Sequence, residues 1–246
     1  MCLLALAWNA HPRWPLVLAA NRDERHDRPS LPAHRWEDLP SVLGGRDLEA
    51  GGTWLGVSEA GRLASVTNFR SPADIGVARR SRGVLTRDFL AGDVSLEDIA
   101  ALDAQAFNPF NLFLVEGGEA AFLTNRPRTT TRRLEPGVHG LSNGPLDQPW
   151  PKTLMLEARL HAWLDGPADD IAPLFDALAD EGPPDAEAGT ERWRSAAFLR
   201  GEQYGTRCST VIRVDADGRG ELVERAFGPG GTPGVETALA FRWPAG

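Results

Sequence analysis

Hydrophobic residues near the amino terminus occur in two short unbroken runs, over residues 2–8 and 16–20. Between them lies a turn at residues 11–15 that contains two prolines. Unbroken apolar runs of this length are typical of strands covered on both faces, whereas a half-exposed strand alternates apolar and polar positions. Because the turn is short, we expect the two strands to pair antiparallel, which returns residues 21–24 close to Cys2.

The rest of the chain alternates between groups of strands and groups of helices. Helices are predicted over residues 81–90, over 95–106 with Ser95 as the N-cap, and within 151–179, whereas residues 21–52 and 181–189 are predicted loops. Strands are predicted over residues 53–58, 63–69, 111–116, 120–125, 130–141, 208–214, 220–227 and 235–243. This order differs from the steady alternation of a doubly wound α/β protein. It predicts an α+β fold with two antiparallel sheets and helices outside them, in a single domain over residues 1–246.

The composition is ordinary for a globular protein, with 42% hydrophobic and 24% charged residues among 246. The formal net charge of −8 argues against a nucleic-acid partner and against a basic membrane-binding surface. No apolar stretch approaches the ~20 residues of a membrane span, so no stable membrane insertion is expected. The two cysteines, Cys2 and Cys208, form neither a disulfide framework nor a zinc pattern, which favours a reduced, cytoplasmic setting.

Cys2 stands directly behind the initiator methionine, where a small residue normally allows Met1 to be removed. The mature chain would then begin with a residue that carries both a thiol, of reference pKa about 8.5, and an α-amino group, of reference pKa about 7.7–8.0. One residue could therefore supply the nucleophile and its general base near neutral pH. The alternative is that Cys2 is a small buried residue of the first strand, because free cysteine is among the most buried residue types.

Two charged motifs are candidates for a network around this cysteine. Arg22 and Asp23 lie in the polar tetrapeptide at residues 21–24, which ends the second predicted strand. An arginine and two acids at a strand end can form a hydrogen-bond network beside a site, although an isolated tetrapeptide of this kind is more often an ordinary polar turn. Arg207 leads into a late strand, where it could pair with either acid of the tetrapeptide or with a substrate carboxylate.

Asn68 and Asn143 are candidates for stabilising an oxyanion, because each closes an extended segment and a side-chain amide can donate to developing negative charge. Taken singly, such asparagines more often stabilise turns. The five histidines show no metal-ligand spacing, and HExxH, CxxC and GxSxG motifs do not occur. We therefore predict no metal, no cofactor and no serine nucleophile.

Several short motifs, taken together and in order, carry a resemblance to a known family. They are Cys2, Asn21-Arg22-Asp23-Glu24, Gly45-Arg46-Asp47, Gly51-Gly52-Thr53-Trp54-Leu55-Gly56, Thr67-Asn68-Phe69-Arg70, Ser81-Arg82-Gly83, Leu141-Ser142-Asn143 and Tyr204-Gly205-Thr206-Arg207-Cys208-Ser209-Thr210. With them the chain resembles the NRDE family, that of the transport and Golgi organization 2 proteins, over nearly its whole length. More distantly, it is similar to cysteine N-terminal nucleophile hydrolases such as bile-salt hydrolases and penicillin V acylases. The resemblance implies a four-layer αββα sandwich.

The resemblance also implies roles for the candidate residues. Cys2 would be the nucleophile, while Arg22 and Asp23 would orient the amino terminus and lower the pKa of the thiol. Asn143 would lie at the oxyanion position, assisted by Asn68 or by a backbone amide.

The alignment with the acylases leaves two assignments open. The acylases place an arginine three residues before an aspartate, whereas the arginine and aspartate of this tetrapeptide are adjacent. One alignment places Arg22 at the arginine position, and another places Asn21 there and Glu24 at the acid. The later acylase arginine corresponds to Arg200 or to Arg207.

Two functions follow from the resemblance. The first is a cysteine amidohydrolase acting on a linear amide or a related acyl compound, with Cys2 as the nucleophile. The second is a non-catalytic carrier that uses the same cleft for haem, acyl-coenzyme A or another lipid, because members of the family are implicated in haem trafficking and acyl-coenzyme A metabolism. A scaffold that acts through protein partners is a third alternative, although the sequence marks no partner groove.

Overall fold

The computed structural model describes residues 2–70, 79–183 and 190–244. They belong to two compact units: a first unit of Met1–Arg28 and Pro136–Ala240, and a second unit of Pro29–Glu135 and Phe241–Gly246. Each unit contains one antiparallel sheet. Met1, whose removal the sequence predicts, and residues 184–189 of the predicted loop over 181–189 lie outside the described residues.

The secondary structure confirms the predicted succession of strands and helices. The strands of the described residues are β1 Cys2–Trp8, β2 Leu16–Arg25, β3 Ser30–Arg35, β4 Val42–Asp47, β5 Leu55–Ser58, β6 Arg62–Asn68, β7 Phe110–Glu116, β8 Glu119–Thr124, β9 Thr130–Arg133, β10 Gly137–Leu141, β11 Tyr204–Val214, β12 Arg219–Phe227 and β13 Pro233–Arg242. The helices are α1 Gly83–Ala91, α2 Leu96–Ala101, α3 Pro151–Leu164, α4 Ala172–Leu178 and α5 Thr190–Ser195. None of the helices in these ranges is both long and apolar enough to cross a membrane.

The sheet of the first unit has the strand order β10-β1-β2-β11-β12-β13. As the two N-terminal apolar runs predict, β1 and β2 pair antiparallel. Alternation along the strands gives the sheet two faces with different residues. The helical face carries Leu3, Ala5 and Val211, which form a buried core with Leu160 of α3 and Leu178 of α4.

The opposite side of this sheet is called the cysteine face. Directly paired residues of neighbouring antiparallel strands point to the same side. Cys2 pairs with Arg22, and Arg22 also pairs with Cys208 on its other side. Two residues further along, Thr210 pairs with Glu224. These five residues therefore share the cysteine face.

The second unit is built on a seven-stranded meander, with strands β3 to β9 adjacent in chain order. Its helices pack on the sheet through a buried cluster that includes Trp36, Phe89, Ile99 and Phe110. Ser95 caps α2 as predicted, because its hydroxyl accepts from the N–H of Asp98 while the Asp98 carboxylate accepts from the N–H of Ser95.

The prediction of a loop over residues 21–52 was wrong. Strand β2 continues to Arg25, and β3 and β4 both lie within the predicted loop. Strand β3 is an edge strand that contains Pro32 and exposes most of its side chains, so it lacks the apolar pattern by which strands are recognised. Its hydrogen bonds to β4 define it, and a single sequence does not display them.

Two other boundaries also differ from the prediction. The strand predicted over residues 130–141 is two strands, β9 and β10, which belong to different sheets. Gly137, where β10 begins, has φ of 152°, a conformation that residues with a side chain rarely adopt. The helix predicted over residues 95–106 ends at Ala101 and is followed by a 3₁₀ turn at Ala104–Ala106.

Candidate functional site

Cys2 is the first residue of β1, and its side chain is half-buried. Both polar groups of its main chain are bound by side chains of the neighbouring segment. The Cys2 nitrogen donates to Oδ1 of Asn143 at 3.2 Å, and the Ser142 hydroxyl donates to the Cys2 carbonyl oxygen at 2.8 Å. The backbone that carries the thiol is thus held in place while the thiol remains partly accessible.

The register of β10 explains why Asn143 lies beside Cys2. Leu141 pairs with Leu4 at the end of β10, and because the pairing is antiparallel the chain runs on alongside the first residues of β1. Asn143 is 1% exposed, and its oxygen faces the Cys2 nitrogen. An amide in this orientation turns its NH₂ branch away from that nitrogen. That branch is the donor that an oxyanion role requires.

Arg22 is the cross-strand neighbour of Cys2 and is 6% exposed. Asn21, the alternative for this position, points to the helical face. Its Nδ2 donates to the carbonyl oxygens of Leu178 at 2.7 Å and Ala197 at 2.9 Å, and its Oδ1 accepts from the Ser209 hydroxyl at 2.6 Å. The structure therefore favours the alignment that places Arg22 beside the cysteine.

Asp23 follows Arg22 and, by alternation, points to the helical face. Its Oδ1 accepts from the Thr206 hydroxyl at 2.7 Å, and its carbonyl oxygen accepts from the Tyr204 hydroxyl at 3.0 Å. The Thr206 hydroxyl also accepts from the Leu199 N–H at 2.9 Å, and this bond connects the Thr206 side chain to the segment that precedes β11. Asp23 thus fastens β2 to β11, and its predicted role in orienting the amino terminus stays a prediction.

Arg207 lies at a β-bulge, where the pairing of β11 with β2 shifts between Thr206 and Cys208. Such bulges re-aim a side chain and are common beside active sites. The guanidinium of Arg207 donates to the carbonyl oxygens of Arg25 at 2.7 Å and Arg28 at 3.1 Å. Burial and the nearby charge of Arg22 lower its pKa, so these two cations are electrostatic neighbours.

Arg200, the other candidate for the later arginine, is bound elsewhere. Its Nε donates to Glu181 at 2.7 Å, and both side chains of this ion pair are about half exposed, at 53% and 41%. Of the two candidates, Arg207 is therefore the one that interacts with Arg22. Its predicted pairing with an acid of the tetrapeptide stays a prediction.

Cys208 is buried in the cysteine face, in agreement with its interpretation as a core residue. It is 4% exposed, and burial raises the pKa of its thiol well above the ordinary value. The Glu224 carboxylate, hydrogen-bonded to this thiol, raises the pKa further, whereas Arg22 opposes the rise. The thiol of Cys208 therefore stays protonated where an ordinary thiol would ionise.

Sequence reasoning missed Ser142 and Glu224. Ser142 stands within a motif that the resemblance quotes, but only the structure shows its bond to the Cys2 carbonyl. Glu224 lies in a strand with an irregular pattern of apolar and polar residues, and it is nevertheless 2% exposed. Glu224 follows Leu222 and Val223 in the sequence, but nothing in one sequence separates a buried glutamate at this position from an exposed one.

Asn68 is the last residue of β6 and pairs with Phe110 in the second unit. Its predicted contribution to an oxyanion site with Asn143 stays a prediction, as does the grouping of the predicted residues into one site.

A cavity of about 560 Å³ lies beside α3 and α4 and is lined by Arg159, Trp163, Asp169 and Asp176, among others. None of the predicted site residues lines it. Across residues 2–70, 79–183 and 190–244, no cluster of three or more histidine, cysteine, aspartate or glutamate side chains could hold a metal ion.

Comparison with solved structures identifies the fold. The chain is similar to a mutant of conjugated bile acid hydrolase from Clostridium perfringens, with a TM-score of 0.56 and 11% identity over 97% of this chain and 92% of that one. A variant of the same hydrolase gives a TM-score of 0.53 and 9% identity over 100% of this chain and 98% of that one. The predicted α+β fold of the N-terminal nucleophile hydrolases is confirmed.

Comparison of sequences identifies the family. The chain is 36% identical to the Transport and Golgi organization protein 2 homolog of Bos taurus over 92% of this chain and 93% of the relative. It is 34% identical to the Homo sapiens homolog over the same shares. The model of the family described as Transport and Golgi organisation 2 matches residues 1–229. The chain therefore belongs to the Transport and Golgi organisation 2 family.

Proposed function

We propose that this protein is a cysteine N-terminal nucleophile hydrolase that cleaves a linear amide or a related acyl compound. The observation that carries the proposal is the arrangement around Cys2. Its nitrogen contacts Asn143, its carbonyl accepts from Ser142, and Arg22 lies directly across the strand pair. A half-buried thiol on a fixed backbone, beside a cation and an amide, is suited to nucleophilic attack.

The reaction begins once Met1 has been removed, which leaves Cys2 with a free α-amine. The amine takes the proton of the thiol, and the thiolate forms a bond to the carbonyl carbon of the substrate. The NH₂ branch of Asn143 donates to the resulting oxyanion. The C–N bond then breaks, the leaving amine takes the proton from the ammonium, and a thioester remains on Cys2. Water, deprotonated by the same amine, attacks the thioester and releases the acid and the thiol.

Positive charge near the thiol supports the first step. Arg22 is buried at the cross-strand position, and it interacts with Arg207 at the bulge of β11. A cation beside a thiol favours the thiolate over the neutral form. The same two cations favour a substrate that carries a carboxylate or another acidic group.

The fold supports the class of reaction. The two solved structures are conjugated bile acid hydrolases, and we carry over hydrolysis from them as the type of chemistry. The substrate is proposed only as a small acyl amide, because the likeness at about a tenth identity is one of fold.

The first test is the intact mass of the purified protein together with a hydrolysis screen of acyl amides. We expect the mass to lack one methionine residue and at least one amide to be cleaved. Cys2→Ala should abolish that cleavage, because no other side chain supplies the nucleophile. Glu221→Gln is the control, since Glu221 forms a partly exposed pair with Arg213 and should leave cleavage unchanged. Retention of Met1, or equal cleavage by Cys2→Ala and the parent, would overturn the proposal.

A second test addresses Asn143. Loss of one oxyanion donor typically costs about 10²–10³ in rate, so Asn143→Ala should lower kcat by about that factor. The carrier alternative gives a different set of results. Saturable quenching of tryptophan fluorescence by haem or acyl-coenzyme A, with no cleavage of any amide, would replace the hydrolase by a carrier.

A further inference from the structure

The cysteine face carries a continuous set of polar side chains that leads away from Cys2. Cys2 of β1 pairs with Arg22 of β2, and Arg22 pairs with Cys208 of β11. Cys208 interacts electrostatically with Glu224 of β12, which lies opposite Thr210. The set thus crosses four neighbouring strands and has a half-buried thiol at one end and a carboxylate at the other.

Glu224 is the unusual member of this set. It is 2% exposed, and a buried carboxylate is costly unless it is hydrogen-bonded and compensated by positive charge. One hydrogen bond comes from the Thr210 hydroxyl at 3.2 Å, and the Cys208 thiol interacts with the same carboxyl group. Arg22 acts on the same thiol from the other side. Cys208 therefore lies between a buried arginine and a buried glutamate.

We propose that Glu224 is a positioning residue of the Cys2 site, where its negative charge balances the positive charge of Arg22, the cross-strand neighbour of Cys2. This rests on the proposed function of Cys2 as a nucleophile. The charged and titratable groups of the first unit that share this face or act on it include Arg22 and Glu24 of β2, His139 of β10, Arg207 and Cys208 of β11, Glu224 of β12 and the Cys2 amine. Asp23 lies on the helical face.

The test measures the pH dependence of Cys2 alkylation by iodoacetamide at low ionic strength in the full chain, with peptide mass mapping to separate Cys2 from Cys208. Glu224→Gln removes the charge and keeps the shape and an acceptor oxygen. Without the negative charge the thiolate is more stable, so the midpoint should fall. Three strand spacings separate β12 from β1, and a unit charge at that distance gives a shift of about 0.5 pH unit.

Two variants serve as references. Glu224→Asp retains the charge and should restore the midpoint to within about 0.2 pH unit of the parent, which a purely structural role would not predict. Glu221→Gln removes a carboxylate from the same strand, at a side chain that is 39% exposed and paired with Arg213. It should leave the midpoint unchanged, because solvent screens an exposed charge.

The outcomes separate this proposal from the one on which it rests. An unchanged midpoint in folded Glu224→Gln, or an equal shift in Glu221→Gln, overturns the role of Glu224 while amide cleavage by the parent still stands. If Glu224→Gln does not fold, Glu224→Met replaces the side chain by an apolar one of similar size and the same fall is expected. Failure of both variants to fold assigns Glu224 to packing and overturns the proposal.

Discussion

The two faces of the six-stranded sheet use the same short motif for different purposes. Asn21 and Arg22 are adjacent in β2, yet one points to the helical face and the other to the cysteine face. Asn21 is bonded to the carbonyl oxygens of Leu178 and Ala197 and to the Ser209 hydroxyl. Arg22 lies between two thiols. A conspicuous tetrapeptide is therefore part scaffold and part candidate chemistry, and period-two alternation decides which residue is which.

The substitution expected to lower the free energy of unfolding most is at Asn21, on the helical face. Asn21→Leu should lower the free energy of unfolding by about 3 kcal/mol, because two buried carbonyl oxygens and one buried hydroxyl lose their partner. Urea unfolding measures the change. Ser209→Ala removes only one of these bonds and should cost about 1 kcal/mol. A loss below about 1 kcal/mol for Asn21→Leu would show that this contact to the helical layer is not structural.

A second variant on the helical face tests whether the two faces act independently. Both its free energy of unfolding and the alkylation rate of Cys2 are measured. Thr206→Val removes the hydroxyl that donates to Asp23 and accepts from the Leu199 N–H. We expect the free energy of unfolding to fall by about 2 kcal/mol, since a hydrogen bond to a charged group is among the stronger ones. The alkylation rate of Cys2 should stay within about twofold of the parent, because this bond lies on the other face. A large change in that rate would link Asp23 directly to the thiol.

The positions that the sequence predicts best are those with unbroken apolar runs or strong local caps. Strand β1, the start of β2 and the Ser95 cap were predicted from such signals, and the structure confirms them. The proximity of Arg22 to Cys2 also follows from the sequence, because a short turn fixes the register of a hairpin.

The features that escaped prediction depend on pairing between distant segments. Strand β3 is identified by its hydrogen bonds to β4, and its mixture of polar residues, Pro32 and an exposed Leu31 gives no apolar pattern. The burial of Glu224 depends on what packs against its face of the sheet, which one sequence does not reveal. The single domain over residues 1–246 and the role of Asn68 stay predictions.

The burial of Cys208 on the cysteine face predicts how the free energy of unfolding changes at alkaline pH. Burial raises the pKa of the Cys208 thiol in the folded chain, whereas the same thiol in the unfolded chain keeps its ordinary pKa of about 8.5. The stabilisation is fully present below that ordinary pKa and is lost as the pH rises toward the folded pKa, because the unfolded chain releases its proton first. Between about pH 7.5 and about pH 9.5 the parent should lose roughly 1 kcal/mol more stability than Cys208→Ala. Urea unfolding at the two pH values checks this, and equal losses would contradict it.

The smallest change in the free energy of unfolding is expected for Cys2→Ala, with Cys208→Ala as the comparison. Cys2→Ala should change the free energy of unfolding by less than about 0.5 kcal/mol, because the side chain is half-buried at a strand end. The contacts that hold this residue run from Asn143 and Ser142 to its main chain, and alanine retains both. Cys208→Ala at neutral pH should cost about 1 kcal/mol, since a buried sulfur and its bond to Glu224 are removed. A loss above about 1 kcal/mol for Cys2→Ala would mean that the Cys2 side chain contributes to the packing around β1. That result would favour Cys2 as a buried structural residue over Cys2 as an accessible nucleophile.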